Sequence, residues 1–200
     1  MALYLGILIF SFIIASVAIV PFIDFLYSKK RGTPVGGGIF IVTLVTLLYV
    51  LLFPLITHLG VYITSAFPIK EELNIIFFTF ISFSLLGHIK TGYKLITKIL
   101  LSTTIASMIF FNLRVHIVNI PNIGVLNLGW LYIPLAAFLI TAFTKAFERA
   151  DELDGLSCGL LLICLLAFWA LALSSLDTPL SIFIALWIGS LIAFLYFNVY

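Results

Sequence analysis

The sequence predicts an all-α fold: a polytopic bundle of about seven transmembrane helices with a short outer hairpin. Three features carry that reading: a composition too apolar for water, apolar runs of membrane-crossing length, and charges confined to the segments between runs. Of 200 residues, 64% are hydrophobic and 9% charged, against roughly 25% charged in a soluble globular domain. A hydrocarbon core about 30 Å thick takes roughly 20 apolar residues per helical crossing. The chain therefore reads as one integral membrane domain over residues 1–200.

The apolar runs are Leu3 to Leu26, Ile39 to Ile56, Leu73 to Leu86, Leu95 to Phe111, Leu131 to Phe143, Leu156 to Leu173 and Leu180 to Tyr196. The first has no charged leader before it and is too long for a signal-peptide core, so it is expected to stay as a helix. Cys158 and Cys164 both fall inside the sixth run. They read as small core residues rather than a disulfide pair. Between the fourth and fifth runs, residues Asn112 to Gly129 alternate apolar residues with Asn, Pro and Gly, the pattern of a small hairpin at the outer surface.

A charge at the centre of a membrane helix costs about 2.5 to 3.5 kcal/mol on insertion scales, which is why the ionisable residues gather in the connections. Alternate connections share a membrane face. Segments 28–38, 87–98 and 144–155 carry Lys29, Lys30, Arg31, Lys90, Lys94, Lys98, Lys145 and Arg149, whereas the other connections carry Lys70 and Arg114. The positive-inside rule puts the basic face in the cytoplasm. The expected location is the cell membrane, multi-pass, with a cytoplasmic functional face. Nothing in the pattern points to nucleic acid, and transport is disfavoured because midplane charges are scarce.

Each basic segment admits two readings. The first, Lys29-Lys30-Arg31-Gly32-Thr33-Pro34-Val35-Gly36-Gly37-Gly38, suits an anion: proline stops a helix, glycines let the backbone approach a ligand, and three cations stand beside them. It equally suits a topology anchor or a lipid-headgroup contact. In the second, Lys90 and Lys94 stand one helical turn apart, next to His88, which is either a proton-transfer group or an ordinary interfacial histidine. The third holds Glu148, Asp151, Glu152 and Asp154. Asp151 and Asp154 share a helical face and suit Mg²⁺ or a sugar hydroxyl; the alternative is a solvated loop paired with Lys145 and Arg149.

The order of these segments resembles the polyprenyl-phosphate phosphosugar transferases of glycosyltransferase family 4. Gly32 to Gly38 is similar to that family's Gly-Thr-Pro-x-x-Gly-Gly loop. Asp151-Glu152-Leu153-Asp154-Gly155-Leu156 is similar to its Asp-Gly-x-Asp-Gly-Leu motif, and Ala193 to Asn198 to its Phe-Leu-Trp-Phe-Asn segment. The stretch Val115 to Pro134 looks like the outer hairpin and following helix of the peptidoglycan branch. The departures are equally specific. Where the family has Asp-Asp-x-x-Lys, this chain has Lys90-Thr91-Gly92-Tyr93-Lys94, and only the lysine is kept. Lys145-Ala146-Phe147-Glu148 replaces an Asn-Ala-x-Asn lead-in. The sequence stops at Tyr200, before the place of the family's Gly-Asp-x-Gly segment and histidine-rich loop, and so is expected to be incomplete relative to the family.

The resemblance implies transfer of phospho-N-acetylmuramoyl-pentapeptide from a UDP carrier to undecaprenyl phosphate, for peptidoglycan lipid synthesis. It implies Mg²⁺ as cofactor, a polyprenyl phosphate lipid and a UDP-linked sugar as partners, and a homodimer as a form the family admits. It assigns Asp151 and Asp154 to catalysis and metal support. Lys94 would contact phosphate, and Lys30, Thr33 and Gly37 would shape the substrate cleft. These residues are expected to meet at one cytosol-facing cavity. Lys90 and Thr91 in place of two aspartates change the local charge from about −2 to about +1, which repels a cation. The alternative expectation is therefore a catalytically inactive relative that binds polyprenyl lipid, nucleotide-sugar or a partner protein.

Overall fold

Six helices and one β-ribbon account for the regular structure of the residues that the computed structural model describes: 2–29, 37–60, 94–113, 117–120, 124–150 and 155–199. The expected helix over Leu73 to Leu86 lies outside the described residues. Five of the helices hold apolar spans of 19 to 21 residues, long enough at about 1.5 Å per residue to cross a hydrocarbon core of about 30 Å. The protein is an all-α, multi-pass membrane bundle. It divides into two compact units, Met1–Ala66 with Ala150–Tyr200, and Phe67–Arg149.

The first unit contains α1 (Ala2–Lys29), α2 (Gly37–His58), α5 (Leu156–Ser174) and α6 (Thr178–Val199). Its axis is α6, which packs against each of the other three. Ile182, Ala185, Leu186, Ile188, Ser190 and Ala193 are all buried. The outer helices turn apolar side chains outward instead: Val17, Leu51, Ile163 and Leu171 are each at least 61% exposed. Such surfaces would be an aggregation hazard in water. In lipid they are the outside of the bundle.

The closest packing is between α1 and α6. Gly189 makes it possible, because a methyl group added there would run into the Leu8 carbonyl oxygen and stand 3.0 Å from the Phe12 nitrogen. Beside it the Ser11 hydroxyl donates to the Leu186 carbonyl (2.6 Å) and is bonded to the Ser190 hydroxyl (2.9 Å), with both serines fully buried. Small residues let membrane helices touch at the backbone, and cross-helix hydroxyl bonds add about 0.6 kcal/mol each. Hydroxyls that make no such crossing bond to their own helix: Ser16 to the Phe12 carbonyl and Thr46 to that of Val42. Hydrocarbon offers them no water.

The pairings set the direction of every helix in this unit. Ser11 meets Leu186 and Ser190, while Ala15 and Ile19 pack with Ala193, so α1 and α6 run parallel. Tyr49 meets Phe183 edge-on at 5.3 Å, and Phe40 and Leu44 pack on the Ala193 cluster. That makes α2 antiparallel to α6. Ala172 packs with Ile184 and Ile188 alongside Leu165 and Trp169, making α5 antiparallel as well. The end of α1, the start of α2, the start of α5 and the end of α6 thus share one end of the unit.

At the opposite end α5 turns into α6 within three residues. Leu176 takes a left-handed conformation (φ 58°), with its N–H donating to the Leu173 carbonyl and the Asp177 N–H to that of Ala172. This paired closure usually uses glycine. Asp177, buried, then caps α6 by accepting the Leu180 N–H at 3.3 Å. One aspartate thereby closes one helix and opens the next.

The second unit contains α3 (Lys94–Leu113), strands β1 (Ile117–Ile120) and β2 (Gly124–Asn127), a short 3₁₀ turn (Gly129–Leu131) and α4 (Tyr132–Ala150), which belongs to it through Arg149. The expected hairpin is present: Ile117 pairs with Asn127, Val118 with Leu126, Asn119 with Val125 and Ile120 with Gly124. Phe110 lies 6.1 Å from Tyr132 and the Ser102 hydroxyl 3.0 Å from that of Thr141, so α3 and α4 are antiparallel. The polar end of α4 corrects the sequence reading. The fourth run, from Leu95, starts within one residue of α3, but Lys145 to Arg149, expected in a connecting segment after the run ending at Phe143, are a helical turn. Lys, Arg, Glu and Ala favour helix, and long cationic side chains reach toward the interface from within one, so hydropathy runs end before the helices do.

Two predictions follow from these contacts. Gly189→Ala lowers stability by about 1 to 3 kcal/mol, the usual cost of overpacking, whereas Gly159→Ala, where nothing lies within 4 Å of the added methyl, does not; thermal unfolding in detergent, read by size-exclusion recovery, separates the two. By the same measurement Asp177→Ala costs about 1 kcal/mol through loss of the cap, and Leu176→Gly raises stability by relieving the left-handed backbone.

Candidate functional site

The residues that the sequence singles out sit where helices begin or end. Gly37 is the first residue of α2 and Lys94 the first of α3. Lys30, Thr33, Asp151 and Asp154 lie outside the described residues, and so does the expected meeting of these groups at one cavity. Their flanks are described. Lys29 and Gly37 border segment 30–36 and Gly155 follows segment 151–154, and these three are at the same end of the first unit, by the helix directions derived above.

Gly155 makes the second of those borders specific. It precedes α5 in a left-handed conformation (φ 77°), and its carbonyl accepts the Gly159 N–H at 2.9 Å. A side chain there would be strained by its backbone alone. The glycine of the Asp154-Gly155 pair therefore has a conformational role, turning the chain into the helix immediately after the aspartate. On the other flank, α4 ends with an exposed Arg149, a cation favourable at a helix C-terminus.

In the second unit the cations collect at the ends of α3 and α4 remote from the hairpin. Lys145 and Arg149 are exposed there, but Lys98 is 9% exposed. One turn further into α3 comes Ser102, also buried, whose hydroxyl is hydrogen-bonded to Thr141 of α4; the Thr141 hydroxyl also donates to the Ala137 carbonyl at 2.8 Å. Lys94, Lys98 and Ser102 follow one another at intervals of four, which is one helix face. The sequence reading counted Lys98 as a topology charge and passed over Ser102 and Thr141. The signal was present in the sequence as polar residues at every fourth position, Lys94, Lys98 and Ser102.

Chemically, the described part of this region offers ammonium and guanidinium donors for phosphate and hydroxyls for orientation. Among the described residues no group of three or more His, Cys, Asp or Glu side chains comes together as a metal site. Carboxylates for a cation would have to come from Asp151 and Asp154.

A sequence profile described as Glycosyl transferase family 4 matches residues 74–200, a span that includes Lys94, Asp151 and Asp154. The chain is 26% identical over 190 residues to a phospho-N-acetylmuramoyl-pentapeptide-transferase of Clostridium beijerinckii, covering 87% of this chain and 54% of that protein. A protein of the same name from Limosilactobacillus fermentum is 29% identical over 184 residues, covering 86% of this chain and 54% of the relative. With that from Leuconostoc mesenteroides the identity is 36% over 118 residues, covering 57% of this chain and 37% of the relative. The chain thus spans about half the length of the first two relatives.

Proposed function

The chain belongs to glycosyl transferase family 4, and on that premise we propose that it takes part in moving a phosphosugar, phospho-N-acetylmuramoyl-pentapeptide, from a UDP carrier to undecaprenyl phosphate at the cytoplasmic membrane face. The observation that carries this reading is the order of helices in the first unit, which returns both flanks of segment 30–36 and the Gly155 flank of segment 151–154 to one end. A lipid phosphate and a nucleotide sugar can only meet at a membrane surface. The lipid tail needs hydrocarbon and the nucleotide needs water, so broken loops at helix ends are where such a site can be built.

In this proposal Lys94 and Lys30 neutralise phosphate oxygens. Thr33 and Gly37 let the backbone and a hydroxyl close on the substrate. Asp151 and Asp154 hold the nucleotide or support a metal. A magnesium ion suits that donor set, because it takes one or two carboxylate oxygens and completes its shell with water and substrate phosphates. When bound, it would neutralise charge on the pyrophosphate. The cytoplasmic assignment rests on the eight basic residues gathered in three alternate connections.

One observation favours a second reading. Lys90 and Thr91 stand where the family has paired aspartates, which removes anionic charge that a metal-dependent transfer would use. On this reading the chain binds polyprenyl phosphate or nucleotide-sugar without efficient turnover.

A transfer assay with UDP-linked substrate, polyprenyl phosphate and Mg²⁺ separates the two. Under the first reading Asp151→Asn or Asp154→Asn lowers transfer on the order of 100-fold, the scale of losing an electrostatic stabiliser, and chelation abolishes it. Under the second reading the unmodified chain binds lipid phosphate without transfer, and the same substitutions leave binding unchanged. Orientation has its own test. With Cys158 and Cys164 replaced by serine, a cysteine at Thr33 should react with an impermeant maleimide added from the cytoplasmic side of inverted vesicles; labelling from the other side would refute the cytoplasmic assignment.

A further inference from the structure

The segment Ala193 to Asn198 at the end of α6 resembles a family motif, yet the proposed chemistry gives it no task. In the structure it belongs to an aromatic cluster. Phe194 and Phe197 pack on the buried Ala15, Ile19 and Ala193, together with Ile23 of α1 and with Phe40 and Leu44 of α2. Phe40 in turn stacks on Phe22 of α1, with ring centroids 4.2 Å apart and planes 19° from parallel. Three helices are thereby tied together at the end of the first unit where α1 stops and α2 starts.

Two features make this stack more than filler. Helices α1 and α2 each lie mainly against α6 and touch each other far less, so the Phe22–Phe40 pair is a large part of what joins them directly. Phe22 is also the first residue past Pro21, which lies inside α1. Proline has no N–H to offer the Val17 carbonyl, and its ring crowds that carbonyl, so the helix bends most easily there. Beyond this point α1 needs an outside contact to fix its direction. In lipid, apolar burial alone contributes little, whereas nearly parallel rings impose an orientation.

Both rings are close to the proposed cleft in the chain. Phe40 follows Gly37, the first residue of α2, by one helical turn and lies on the same helix face. Lys29, the last residue of α1, comes two turns after Phe22. We propose that Phe22 and Phe40, buttressed by Phe194 and Phe197, are positioning residues: their stack sets the separation of Lys29 from Gly37, and through it the affinity of the cleft for a polyprenyl phosphate. The inference rests on Gly37 shaping that cleft, as in the function proposed above. The rings act through the helix backbones and need no contact with substrate.

The test uses the full chain with Cys158 and Cys164 replaced by serine. Spin labels at Lys29→Cys and Ile39→Cys, in phosphatidylcholine–phosphatidylglycerol nanodiscs, report the separation by dipolar broadening. Native mass spectrometry of the unlabelled chain in detergent, titrated with undecaprenyl phosphate, reports affinity. Phe22→Leu and Phe40→Leu keep an apolar side chain and lose the ring. The expected result is a widened spread of separations and an affinity about tenfold weaker, the scale of one aromatic pair, with Phe22→Tyr close to the unsubstituted chain. Phe53→Leu, which removes the ring 5.5 Å from Tyr49 toward the other end of α2, should change neither reading. Leucine variants with an unchanged separation would overturn the inference and leave the role of Gly37 standing. A widened spread with undiminished affinity would overturn it too, as would equal losses from Phe53→Leu, which would mean general loosening of α2. An unsubstituted chain that binds no undecaprenyl phosphate would sink the reading of the cleft itself, and this inference with it.

Discussion

The first unit depends on one close approach, that of α1 to α6 at Gly189. Because the obstacle to a larger residue is backbone, the Leu8 carbonyl and the Phe12 nitrogen, no side-chain rotation can make room. That proximity brings Ser11 within hydrogen-bonding distance of two groups on α6, and it places Ala15 and Ile19 against Ala193. Helices α2 and α5 then find their partners on the remaining faces of α6. In lipid there is little hydrophobic gain from bringing apolar helices together, so shape and hydroxyl pairing have to do it.

Most of the fold was legible as hydropathy, because the solvent imposes it: a helix that must satisfy its own backbone in hydrocarbon is apolar over a fixed length. The hairpin was legible too, from the Asn, Pro and Gly residues between Asn112 and Gly129. Helix ends were not. Lys145 and Arg149 interrupt the hydropathy run while favouring the helix, so the connection after Phe143 looked longer than it is. The partnership of Ser11 with Ser190 was not legible at all. Two small polar residues 179 positions apart carry no local mark of each other, and the same residue type bonded to its own helix, as at Ser16, looks identical in sequence.

The candidate site shows the same division between local and distant information. Motif residues were recognisable because carboxylates are rare in membrane helices, and Gly155 has a left-handed backbone that explains its place after Asp154. Lys98 was visible as a charge but its burial was not, and the Ser102–Thr141 contact one turn further on depends on how α3 and α4 face each other. No count of cations along the chain contains that facing.

The parallel pairing of α1 with α6 also constrains biogenesis. A chain threaded into the membrane from its N-terminus releases α1 long before α6 exists, so the Ser11 hydroxyl must turn back on its own helix, as Ser16 does, until α6 arrives. Neighbours in sequence can pair as they emerge, but this seam joins residues 175 positions apart. Completion of the first unit therefore waits for α6, and a nascent chain halted before it would leave exposed to lipid the face of α1 around Leu8, Ser11 and Phe12 that later meets Gly189.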